Sequence, residues 1–378
     1  MSHHEAANAI RLAKRPVYMI CTGGGAGIQE MLWEVPGISD VLCGAEFPYA
    51  KEMTDTALGF EPAKYVSPDT AVDLAMAAFY KVADRSGAVG LGLTAAVASS
   101  RAHRGDHRVY IATVSHDGCR VFCGTLQKGE GQAQRLVDGA LCNALGFATL
   151  VQSLGLDLSL TSSPYAKALA SLQEFRIIGD ASALMTDRFF ERPYFTASGK
   201  RERLDARPKG LILPGAFNPP HEGHHQLASA ASREFVADFG EPFLDAARVT
   251  YAVSQKTPHK GSLTVPEMLR RARALAGLDR MFTRDDPLYI DKARQHPGSN
   301  FIVGIDAVTR LLDPSWGPDP DAQFEEFQKL GTHFYVAGRT VDGVFKTLRE
   351  LPIPAAWRHL FHEMPGRWDI SSSAIRAA

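Results

Sequence analysis

Residues 215–224 read GAFNPPHEGH. Two imidazoles, His221 and His224, stand three residues apart, with Gly223 between them and Gly215 at the head of the segment. Each imidazole can donate a hydrogen bond to a phosphate oxygen, and glycine lets a phosphate approach the backbone closely. Phosphoryl and nucleotidyl transfers ask little covalent work of a protein. They ask for positioning and for charge stabilisation around phosphorus. An isolated H-x-x-H pair also describes two surface histidines in a loop, and a metal pair would need more ligands than the neighbourhood supplies. A second segment bears on the choice. WDISSSAIRAA (368–378) offers serines that suit a helix start and donate to phosphate, and Arg376 brings a bidentate fork for the same group.

The elements around the motif must hold it in place. The apolar run LIL (211–213) predicts a strand leading in. HQLASAASREFVADF (225–239) predicts a helix leading out, with Leu227, Ala231 and Phe235 as its core-facing stripe. The helix N-terminus then points at the end of the strand, where free N–H groups and the helix dipole favour an anion. ARVTYAVS (247–254), SNFIVGID (299–306) and THFYVAGR (332–339) predict further strands, with a helix over VPEMLRRARALAGL (265–278). Parallel strands joined by helices bind ligands beyond their carboxyl ends, where GAF, GID and AGR fall.

The first half has its own alternation. Strands are predicted over 15–20, 88–97, 108–115 and 120–126, the last two joined by a turn at His116-Asp117-Gly118. Helices are predicted over 28–35, 69–87 with Asp69 as N-cap, and 131–155. The pattern is that of an α/β sandwich. Residues 161–208 mix charge, Pro and Gly and read as a connecting segment. With 378 residues, two α/β domains are expected, 1–160 and 209–378. A net charge of -1 gives no basic field for nucleic acid, and no apolar run is long enough to span a membrane. The five cysteines, an odd number, read as buried thiols rather than disulfides, and the cytoplasm is the expected compartment.

The two phosphate motifs together, GxFxPxHxGH after a strand and ISSSxIR about 150 residues later, resemble the nucleotidyltransferase superfamily, in particular the nicotinate/nicotinamide mononucleotide adenylyltransferases. The resemblance covers residues 209–378 and implies a Rossmann-like fold with a parallel sheet. It implies that His221, His224 and Arg376 are catalytic. It places Gly215, Phe217, Gly223, Lys260 (in TPHKG), Ser371 and Ser372 on the ATP phosphates. It places Gly304, Asp306, Trp316 and Arg339 at the acceptor, with Trp316 where the family stacks a tryptophan on the pyridine ring. ATP with Mg2+ and a mononucleotide, NMN or nicotinate mononucleotide, are the implied substrates. The chain departs from the family where the acceptor would sit: the sequence stops two residues after Arg376, and the loop over 313–331 is long and acidic. A phosphopantetheine or phosphoalcohol acceptor, and a non-catalytic nucleotide sensor, are therefore the alternatives.

ICTGGGAGIQEMLWEVPGISDVLCG (20–44), continuing through Tyr49, LGF (58–60), GLGLTAAV and RVYIATV, resembles the CinA C-terminal family of nicotinamide-nucleotide amidases. Thr22, Gly23 and Tyr49 would line its pocket. Ile20 stands where that family has its serine nucleophile, and Thr54 where it has lysine. Amide hydrolysis needs an activated nucleophile, so a degenerate, non-hydrolysing domain is expected. Cys21, beside the missing serine, is the remaining candidate nucleophile. A second copy of the chain, meeting through this domain, is the expected protein partner.

Overall fold

The computed structural model describes residues 3–100, 105–156, 174–203, 205, 210–240, 247–257, 261–341 and 344–368. By its contacts the chain divides into two compact α/β units, residues 1–191 with 264–273, and residues 192–263 with 274–378. The helix within 264–273 follows the second unit's strands in sequence but groups with the first unit, whereas the sequence places it among the C-terminal elements.

The first unit contains α1 (His3–Leu12), β1 (Val17–Thr22), α2 (Gly27–Trp33), β2 (Leu42–Glu46), α3 (Lys51–Leu58), α4 (Pro68–Tyr80), β3 (Val89–Ala96), β4 (Arg108–Ser115), β5 (Gly118–Thr125), α5 (Gly131–Ser153), β6 (Glu174–Asp180) and α6 (Ser182–Glu191). Its sheet runs in the order β2-β1-β3-β4-β5-β6. β2, β1 and β3 are parallel, and β3 to β6 are antiparallel neighbours. β3 is buried along almost its whole length, as expected of a strand covered on both faces. Gly90 and Gly92 leave no room for a side chain, because a Cβ there would meet the backbone of α4 at 2.3 Å. β4 and β5 pair across a tight turn, as the sequence predicts, but Gly118 is already the first residue of β5, opposite Ser115. Helix α4 is capped by Ser67, whose hydroxyl accepts from the Thr70 N–H at 3.1 Å. Asp69 lies inside the first turn rather than at the cap, because Pro68 already occupies the first helical position. All five cysteines are free thiols, but Cys43 is only partly buried.

The second unit contains β7 (Tyr194–Phe195), β8 (Arg201–Glu202), β9 (Leu211–Pro214), α7 (Glu222–Phe239), β10 (Val249–Ser254), the hairpin β11 (Lys256–Thr257) and β12 (Gly261–Ser262), and then, past α8 (Val265–Ala274), β13 (Arg280–Thr283), α9 (Tyr289–Gln295), β14 (Asn300–Gly304), α10 (Ile305–Leu311), α11 (Pro320–Lys329), β15 (Phe334–Ala337), the hairpin β16 (Arg339–Val341) and β17 (Val344–Lys346), and β18 (Phe361–Met364). Its main sheet has the order β18-β15-β14-β9-β10-β13-β7-β8. The six strands from β18 to β13 are all parallel. Counted along the chain they lie in the order 3-2-1-4-5-6, that of the doubly wound dinucleotide-binding fold, which reverses between its first and fourth strands. Here those strands are β9 and β14. NFIVG and FYVA are buried apolar runs, and their side chains form the core with Phe324, Phe327 and Phe361.

The segment 161–208 is more than a connection. β6 extends the first sheet beside β5, and β7 and β8 extend the second beside β13. Its apolar residues are scattered among charge, Pro and Gly, so no period marks them. Hydrogen bonding to an existing sheet edge supplies the order that the pattern does not.

Candidate nucleotide site

The motif lies at the switch point of the second sheet. β9 ends at Pro214, and the chain turns through Gly215 and Phe217 into α7. The Gly215 N–H donates to the Ala252 carbonyl of β10 at 2.9 Å, which fixes the start of the turn. A Cβ on Gly215 would sit 2.6 Å from the Phe217 ring, so the ring packs in the space that only glycine leaves. Phe217 itself has φ 44 and is 1% exposed. Its side chain therefore offers ATP almost no surface. Its ring forms a wall of the turn, so a contact of Phe217 with phosphate would be through its backbone.

That wall supports the histidines. The Phe217 ring meets His224 edge-on at 4.9 Å between centroids, and His224 stacks on His221 at 3.7 Å. His221 is the N-cap of α7. Its backbone N–H donates to Nδ1 of His224 at 3.2 Å. Neutral His224 therefore carries its proton on Nε2, the ring nitrogen left to donate outward. Burial, then the charges of His221 and His225, lower the His224 pKa to about 4. Burial and His225 lower that of His221 as well. Both imidazoles are thus neutral donors near pH 7, set at the N-terminus of an 18-residue helix whose dipole adds to their attraction for an anion. Gly223 is buried in the first helical turn, and the exposed Glu222 beside it is the one acidic group in that turn.

Gly304 ends β14, across the switch point. A Cβ there would meet no described atom within 4 Å, so local packing does not require this glycine. Asp306, in the first turn of α10, pairs with Arg339 at 2.7 Å between Oδ2 and the guanidinium. Arg339 follows the end of β15, so the carboxyl ends of β14 and β15 are tied together beside the motif. Trp316 sits in a short 3-10 turn after α10, and the Arg310 guanidinium lies 4.6 Å from its ring centroid. Lys260, Ser371, Ser372 and Arg376 lie outside the described residues.

Sequence reasoning missed two side chains at this site. His225, directly after the motif, hydrogen-bonds through Nδ1 to the Tyr251 hydroxyl at 3.1 Å. Tyr251, on β10, meets Phe217 edge-on at 5.2 Å. The doubled histidine in HEGHH was the available signal. Tyr251 in a strand reads as core.

Residues 212–378 match the cytidylyltransferase-like family model. The C-terminal part of the chain is a nucleotidyltransferase. The nucleotidyltransferase region takes in both histidines, β14 and the terminal serine-arginine segment. No curated protein matches the chain. The solved structures to which the chain is similar include a competence or damage-inducible protein from Enterobacter asburiae, at 14% identity and TM-score 0.32, covering 41% of this chain and 99% of that one. They include the competence/damage inducible protein CihA from Agrobacterium tumefaciens, at 19% and 0.29, covering 40% and 92%. A CinA superfamily protein from Enterobacter cloacae is similar at 16% and 0.32, covering 41% and 93%.

The first unit has a cavity of about 240 Å³ beneath the glycine turn after β1. Gly23 and Tyr49 line it with Cys21, Arg135 and Asn143, but Thr22 does not. Tyr49 is 73% exposed, and its hydroxyl accepts from Arg135 at 2.6 Å. Ile20 is wholly buried on the other face of β1, among Leu58, Phe60, Leu74 and Ala78. Thr54 is buried, and its hydroxyl donates to the Pro48 and Ala50 carbonyls. Burial pushes the Cys21 thiol up to about 12, so the thiolate that a nucleophile requires is scarce.

Proposed function

We propose that the nucleotidyltransferase region joins ATP to a pyridine mononucleotide, NMN or nicotinate mononucleotide, and releases pyrophosphate, a step of NAD biosynthesis or salvage. An oxygen of the mononucleotide phosphate attacks the α-phosphorus of ATP. The new P–O bond forms as the bond to the β-phosphate oxygen breaks, and pyrophosphate leaves. Mg2+ enters with ATP and offsets the charge of the β- and γ-phosphates. His221 and His224 donate to the phosphate oxygens as charge builds on them, and Arg376 with Ser371 and Ser372 grips the triphosphate. Asp306, Arg339 and Trp316 serve the acceptor. The observation that carries this reading is the stacked imidazole pair at a helix N-terminus, with Nδ1 of His224 held by the His221 N–H, at the switch point of a doubly wound sheet.

The first unit, in this reading, does not hydrolyse the nicotinamide amide. The buried Ile20, the uncharged Thr54 and the protonated Cys21 leave it without an activated nucleophile. Pyrophosphate release from MgATP, followed with NMN, nicotinate mononucleotide, phosphopantetheine and glycerol phosphate as acceptors, tests the proposal. Turnover with a pyridine mononucleotide well above the other two supports it. Turnover confined to phosphopantetheine or glycerol phosphate would refute the acceptor assignment.

A further inference from the structure

The motif histidines belong to a closed circuit of rings. His221 stacks on His224, His224 meets Phe217, and Phe217 meets Tyr251. The Tyr251 hydroxyl then bonds to Nδ1 of His225, which returns the circuit to α7 one residue after the motif. Three stretches of chain are closed together in this way: the turn after β9, the first turn of α7, and β10. Phe217 and Tyr251 are both buried, at 1% and 3% exposed, so neither ring has solvent to move into. The contacts between rings are less directional than a hydrogen bond. The hydrogen bond of Tyr251 to His225 is the directional link between β10 and the helix.

We infer that Tyr251 and His225 are positioning residues, which hold Phe217 against His224 and so keep the Nε2–H of His224 aimed at the phosphates. Burial raises the Tyr251 hydroxyl to about 12 and keeps it protonated, and it is hydrogen-bonded to Nδ1 of His225 at 3.1 Å. Nδ1 of His224 is held in turn as the acceptor of the His221 N–H. Two adjacent imidazoles are thus each held by the ring nitrogen that faces the protein. The inference rests on the adenylyl-transfer reading for its kinetic consequence but not for its structural one.

The test uses the full chain and the variants Tyr251→Phe, His225→Leu, His225→Gln and the double variant Tyr251→Phe/His225→Leu. Tyr251→Phe keeps the ring wall and removes only the hydroxyl. We expect kcat to fall about tenfold in Tyr251→Phe and in His225→Leu, with KM for ATP within about twofold of the parent. The double variant should be no worse than either single, since both remove one link. His225→Gln, whose amide oxygen can accept from the tyrosine, should recover most of the rate. Nitrogen NMR of the unliganded protein supplies a readout that needs no turnover: His224 should be the Nε2–H tautomer in the parent and an averaged mixture in the two singles. Fixed His224 signals in Tyr251→Phe and His225→Leu would overturn the inference, as would parental kcat or additive losses. A parent that shows the fixed tautomer, loses it in the variants and yet releases no pyrophosphate would refute adenylyl transfer and leave the circuit standing.

Discussion

At the scale of single residues, the account turns on His224 as a neutral donor. Removing one preorganised donor from a developing charge costs about 10²–10³ in rate. His224→Ala should lose turnover by that factor while far-ultraviolet circular dichroism stays that of the parent. A folded variant within about threefold of the parent would separate the motif from the chemistry. The same residue makes stability depend on pH. Its pKa is about 4 in the folded chain and about 6.5 when unfolded. The unfolded state therefore binds the proton more readily. Stability owed to His224 is complete above about pH 6.5 and is lost as pH falls through about 4. Urea midpoints should fall over that window, and His224→Asn should flatten the fall. An unchanged slope in the variant would mean that His224 titrates normally.

At the scale of elements, the turn between β9 and α7 is held by close packing at Gly215. A methyl group there would meet the Phe217 ring at 2.6 Å, and that ring is enclosed. Overpacking of this kind costs about 1–3 kcal/mol. Gly215→Ala should lower the urea midpoint accordingly and reduce pyrophosphate release, because the displaced ring supports His224. Parental values of both would show that the turn relaxes freely. These elements differ in how far the sequence reveals them. β9, β14 and β15 are apolar runs that lead straight into a glycine, so their existence and the site at their ends can be read directly, and β10 is legible from its β-branched and aromatic residues. β13 could not be, because RMFT carries a wholly buried Arg280, whose guanidinium donates to the Thr196 and Leu278 carbonyls and stacks over Phe195. Those partners are distant or unremarkable in sequence. β18 has buried residues only at its two ends, with His362 and Glu363 between them, and reads as loop. The strand order, and with it the switch point, needs both missing strands. The circuit through Tyr251 is likewise a product of pairing between β9 and β10, which no local pattern encodes.

At the scale of the whole molecule, two α/β units share one chain, and the account gives them unequal chemistry. The first retains a cavity with Gly23, Tyr49 and Arg135, but the neighbouring strand positions carry Ile20, packed in the core, and Cys21, held as a thiol. The full chain should release no ammonia from NMN. Ile20→Ser alone should not restore it, since the new hydroxyl would face the apolar side chains of Leu58, Phe60, Leu74 and Ala78, and Thr54 would still stand in the place of the lysine. Ammonia release by the parent that disappears in Cys21→Ala would make Cys21 a nucleophile and reverse this part of the account. The other unit carries the central claim, adenylyl transfer to a pyridine mononucleotide. The most direct measurement follows ATP labelled at the α-phosphorus, incubated with Mg2+, the full chain and NMN or nicotinate mononucleotide. The account predicts label in a dinucleotide formed in equal amount to pyrophosphate, and loss of both in His224→Ala. Label that stays in ATP, or appears only in AMP without a dinucleotide, would contradict it.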